Sequence, residues 1–66
     1  MSVAKVTEIT ASSKESFDDA MRIGIQRASK TLDQIRGAWI KEQKVVCDGE
    51  QIVEYRVTMK VSFVLK

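Results

Sequence analysis

From Val53 to Leu65 every second residue is apolar: Val53, Tyr55, Val57, Met59, Val61, Phe63 and Leu65, with Glu54, Arg56, Thr58, Lys60 and Ser62 polar between them. A strand points successive side chains to opposite faces, so this run predicts one long strand with an apolar face and a wet face. Its apolar positions are rich in β-branched and aromatic residues, and the run contains no proline. Val3 to Ile9 predicts a shorter strand with imperfect alternation. Phe17, Ala20, Met21, Gly24, Ile25, Ala28 and Leu32 recur at steps of three and four, the stripe of an amphipathic helix. Its start is expected at Ser12, which with Glu15 fits a capping box, or at Ser13 as the alternative N-cap. Asp18 and Asp19 near the start and Arg27 and Lys30 near the end suit the helix dipole. Gly24 weakens the helix by about 1 kcal/mol and is tolerable if a strand approaches closely there. A second long strand runs from about Ile35 to Val46, and Asp48-Gly49 marks the turn into the last strand.

The order is β-α-β-β, and the fold class is α+β: a three-stranded antiparallel sheet curled over one helix. A crossover helix makes the first two strands parallel and leaves an antiparallel slot between them, so the last strand belongs in the middle. A two- or four-residue hairpin loop pairs odd residues of the second strand with even residues of the third; a three-residue loop reverses this. The first register puts Ala38 and Ile40 on the apolar face and brings Glu42 towards its end, whereas the reverse puts Lys41 and Gln43 beside Val57 and Tyr55. The first is the cheaper. It sends Trp39 to the face away from the helix, with Lys41, Arg56, Thr58 and Lys60, where another subunit or a flat ligand must cover the indole.

Composition narrows the function classes. The 66 residues, 44% hydrophobic and 30% charged, make one domain over 1–66 with a small core. One cysteine, Cys47, and no histidine exclude a disulfide staple and disfavour zinc, which leaves homo-oligomerisation as the way to bury more surface. The single cysteine and the lack of a signal-like or spanning apolar run point to the cytoplasm and to no membrane partner. The net charge of +2 is scattered, unlike the stripe of a nucleic-acid binder. No histidine, phosphate loop or nucleophile with a base is present, so the chain does not read as an enzyme, and Cys47 has no activating partner.

The helix start Ser-Ser-Lys-Glu-Ser-Phe, the segment Ile40 to Gln43 (Ile-Lys-Glu-Gln) and above all Glu54 to Leu65 (Glu-Tyr-Arg-Val-Thr-Met-Lys-Val-Ser-Phe-Val-Leu) resemble the dodecin family across nearly the whole chain. The resemblance implies a hollow homododecamer that stores or sequesters a flavin, FMN or riboflavin. It further implies that pairs of flavins sit at two-fold axes, each between a tryptophan of the second strand and a glutamine of the third.

Aligned on Gln43, the tryptophan position carries Gly37, with Trp39 two residues further on, about 7 Å along the strand, and the glutamine position carries Arg56. Gly37, Trp39 and Arg56 are therefore the expected ligand-binding residues. A guanidinium can stack on a ring or pair with a phosphate or carboxylate, and ion pairs to Glu42 or Glu54 are its other use. The alternative function is a dodecin-like assembly that holds no flavin and instead binds cations or serves as a structural or partner-binding module.

Overall fold

The computed structural model describes residues 3–65. Strand β1 (Val3–Ser13), helix α1 (Phe17–Ala28), strand β2 (Ile35–Asp48) and strand β3 (Gln51–Leu65) follow in the expected β-α-β-β order. The sheet order is β1-β3-β2 with both pairings antiparallel, so the strand with the strongest alternation is the central one. Strands of 14 and 15 residues rise about 3.3 Å per residue, which accounts for a chain drawn out to 51 Å in its longest direction.

The odd residues of β3 form the floor of the core. Val57, Met59 and Val61 are fully buried and Phe63 nearly so, each worth about 1.5–3 kcal/mol in transfer from water. Helix α1 lies over β1 and β3 and seats Ala20 on Val57 and Met59, with Ile9, Ala11, Phe17, Met21 and Ile25 packed around them. Phe17 meets Tyr55 edge to face, ring centroids 5.2 Å apart at 78°. Gly24 supplies the close approach: a Cβ there would stand 2.5 Å from Met59 Cε and 3.1 Å from Ala11 Cβ. Leu32 lies past the helix end and is half-buried in the connection to β2.

Other boundaries also differ from the sequence reading. Strand β1 continues past Ile9 to Ser13, because Ser12 and Ser13 pair with Arg56 and Tyr55 of β3. The helix N-cap is therefore neither Ser12 nor Ser13 but Ser16, whose hydroxyl accepts a 3.0 Å hydrogen bond from the Asp19 amide. The hairpin turn is Gly49-Glu50, since Asp48 still pairs with Gln51. Gly49 has φ +62°, the left-handed conformation that a two-residue hairpin turn with glycine first requires.

The register of β2 combines the two alternatives. Gly37 to Ile40 pair odd with even as expected: Ala38 faces Val61, Trp39 faces Lys60 and Ile40 faces Met59. An extra residue at Lys41 then shifts the pairing, so that Glu42 opposes Thr58, Gln43 opposes Val57 and Val45 opposes Tyr55. The bulge removes the one fault of the expected register, Glu42 on the apolar face, and gives Tyr55 an apolar neighbour in Val45. Its cost is Gln43 opposite Val57, tolerable because Gln43 stays exposed. A second extra residue, Arg36, precedes Gly37, and Val53 of β3 is bulged near the turn.

Candidate functional site

The face of the sheet away from α1 carries the even residues of β1 and β3. Antiparallel pairing stacks them in rows across the three strands: Val6, Ser62 and Gly37; Glu8, Lys60 and Trp39; Thr10, Thr58 and Glu42; Ser12, Arg56 and Lys44. Trp39 is 49% exposed on this face. Its strand neighbour Lys60 is half-buried, and no carboxylate among the described residues lies within ion-pair distance of the Lys60 ammonium. From the bulge, Lys41 reaches over the central strand and donates from Nζ to Glu8 Oε1 at 3.1 Å. That bridge borders the indole on the side of the hairpin.

All three expected site residues lie on this face, but the chain does not bring all three together. Gly37 and Trp39 are adjacent rows. Gly37 opposes Ser62, whose hydroxyl donates to the Gly37 carbonyl at 3.3 Å, and a Cβ on Gly37 would meet only Ser62 Oγ, at 3.6 Å. Room exists there for a side chain. Arg56 stands four residues from Lys60 on β3, about 13 Å along the strand. Its Nε donates to Glu54 Oε1 at 2.7 Å, and this hydrogen bond holds the Glu54 carboxyl below its ordinary value of 4.5, with the charge of Arg56 adding to the effect. Lys41 was expected on this face, but Glu8 and its bridge to Lys41 are the parts of the site that the sequence did not reveal, because the pairing of β1 and the bulge in β2 depend on contacts between distant segments.

The donor set bears on which ions the chain can hold. Calcium takes six to eight oxygen ligands, typically from several carboxylates. Among the described residues no three His, Cys, Asp or Glu side chains cluster in a way that could hold a metal ion. Two of the outer-face carboxylates, Glu8 and Glu54, are already paired with cations. The described residues of one copy therefore do not gather such a set of carboxylates. An exposed indole on the outer sheet face instead offers what a planar aromatic ligand uses, a π-surface. No helix among the described residues is long and apolar enough to cross a membrane.

Comparison with known proteins agrees with the fold. The dodecin family model matches residues 3–66. A calcium dodecin from Mycobacterium tuberculosis is 36% identical over 66 residues, all of this chain and 93% of that protein. The crystal structure of a calcium dodecin from the same organism, described as calcium chelating with a novel calcium-binding site, superposes with a TM-score of 0.84 at 34% identity, over 97% of this chain and 91% of that one. The dodecin of Streptomyces davaonensis superposes with a TM-score of 0.94 at 38% identity, covering 98% of this chain and 96% of that one. A variant of the T. thermophilus dodecin gives the same TM-score at 29% identity, covering 100% and 98%. With a family match over nearly its whole length and the same three-stranded sheet around one helix, this chain belongs to the dodecin family.

Proposed function

We propose that the chain is a binding protein rather than an enzyme, that it works as a homododecamer, and that it stores or sequesters a flat aromatic ligand, FMN or riboflavin first among them, against Trp39. The observation that carries this reading is the indole itself: half-exposed on the outer face of the edge strand β2, beside Lys60 of the central strand, with no element among the described residues over it. Leaving it in water forgoes the burial of a large aromatic surface, and a ligand or a second subunit recovers it. Exposed Val6, Ile40, Val45, Ile52 and Val53 add apolar surface beyond what so short a chain can cover alone, which supports assembly. Gly37 keeps the neighbouring row open for the ring edge. Because Arg56 of the same copy is about 13 Å away, its guanidinium would reach the ligand from a symmetry-related copy, as closed two-fold symmetry allows.

A second reading is supported by the likeness to the calcium dodecin: an assembly that holds cations where copies meet, with Trp39 buried as a subunit contact. Two measurements on the purified protein separate the readings. Light scattering after size exclusion is expected to give twelve times the chain mass, and a monomer at micromolar concentration would overturn assembly. A visible spectrum with flavin bands supports the first reading, whereas a colourless protein that releases calcium on acid treatment supports the second.

A further inference from the structure

The sequence alone suggests Arg56 as the cation that meets an anionic part of the ligand. The structure assigns that role elsewhere: we infer that Lys60, beside Trp39, makes the site select flat aromatic ligands that carry a negative charge over neutral ones of the same ring. This rests on the reading of Trp39 as the ring platform.

Lys60 and Trp39 are directly opposed on β3 and β2, so their Cβ atoms stand about 4.5–5.5 Å apart and point the same way out of the sheet. The ammonium has enough reach to meet a substituent at the edge of any ring lying on the indole. The carboxylate that would otherwise neutralise it is Glu8, its partner on β1 in the same row. Glu8 is held instead by Lys41 Nζ at 3.1 Å. Arg56 is held by Glu54, one residue pair towards the hairpin and away from Trp39. Glu42 stands one row nearer the turn, opposite Thr58 and on the far side of the Lys41 bridge row from Gly37. The bulge at Lys41 is thus a device with two effects: it brings Lys41 to Glu8, and it leaves Lys60 beside the indole with no ion-pair partner among the described residues. Lys60 is half-buried, so its stem can lie along the sheet while the ammonium stays in reach of the ring edge.

FMN and riboflavin share one ring and differ in a phosphate, which makes them the probes. Each is titrated into the assembled wild-type protein, into Lys60→Gln and into Lys60→Arg, with flavin emission as the readout and light scattering to verify the assembly of each variant. In the wild type FMN is expected to bind roughly five- to tenfold more tightly than riboflavin at low salt, the size of one partly exposed ion pair. That ratio should shrink towards one at high salt and in Lys60→Gln, and should survive in Lys60→Arg. Equal affinities for both flavins in the wild type, or a ratio that Lys60→Gln leaves intact, would overturn the role of Lys60 while the Trp39 platform stands. No quenching by either flavin would overturn the platform and this inference with it.

Discussion

Ser13 Oγ donates a 2.6 Å hydrogen bond to Asp19 Oδ2 and accepts one of 2.9 Å from the Glu15 amide, so the last residue of β1 is tied directly to the first turn of α1. Together with Ser16, which caps the Asp19 amide, it fixes the sharp passage from strand to helix in three residues. The hydrogen bond from Ser13, and after it that from Arg22, hold the Asp19 carboxyl below its ordinary value of 3.8.

A carboxyl whose folded pKa is depressed contributes stability that is complete above its unfolded value and disappears as the pH falls through the folded one. The Asp19 contribution is therefore present above pH 3.8 and lost below it. Ser13→Ala removes the largest cause of the shift. Urea unfolding at fixed protein concentration is expected to find the variant less stable than the parent at pH 7. The gap should narrow as the solution is acidified below about pH 4. A gap that stays constant across that range would contradict the assignment.

Gly24 gives the second expectation. Alanine there improves helix propensity by about 1 kcal/mol, but its Cβ meets Met59 Cε at 2.5 Å and Ala11 Cβ at 3.1 Å in the tightest part of the core. Overpacking of this kind costs about 1–3 kcal/mol, and Met59 has no exposed side to retreat to. Gly24→Ala is expected to lose about 1 kcal/mol net in urea unfolding. A gain in stability would mean that helix and sheet are further apart than described.

The element order, the central place of β3 and the outward position of Trp39 were legible because the period of two in β3 is nearly unbroken and assigns a face to everything paired with it. The dodecin resemblance was carried by the same stretch. The end of β1 was not legible: Ser12 and Ser16 each have an acidic residue three positions on, and only the pairing of Ser12 and Ser13 with Arg56 and Tyr55 chooses between them. The bulge at Lys41 was hidden for a related reason. Each hairpin register put polar residues in the wrong place, Glu42 in one and Lys41 and Gln43 in the other, and the chain uses odd-even pairing over one part of β2 and odd-odd pairing over another. The distance from Trp39 to Arg56 follows from that register and was equally out of reach.

Gly37 offers a gain-of-function expectation. Its backbone is outside the left-handed region and a Cβ would meet only Ser62 Oγ at ordinary contact distance, so Gly37→Trp should assemble as the parent does. Combined with Arg56→Gln, it restores the two residue types that the family resemblance associates with flavin. The double variant, checked by light scattering, is expected to bind FMN more tightly than the parent in a fluorescence titration. Normal assembly with no gain in affinity would contradict the reading of Gly37 as the open neighbour of the platform.

Quenching of flavin emission reports on Trp39 as a ring platform without an intermediary, because stacking on an indole extinguishes the flavin signal where the two rings touch. FMN titrated with the assembled wild-type protein is expected to lose most of its fluorescence at saturating protein, while an equally assembled Trp39→Ala protein leaves the emission close to that of free FMN. Unchanged emission with the wild type, or equal quenching by both proteins, would contradict the claim.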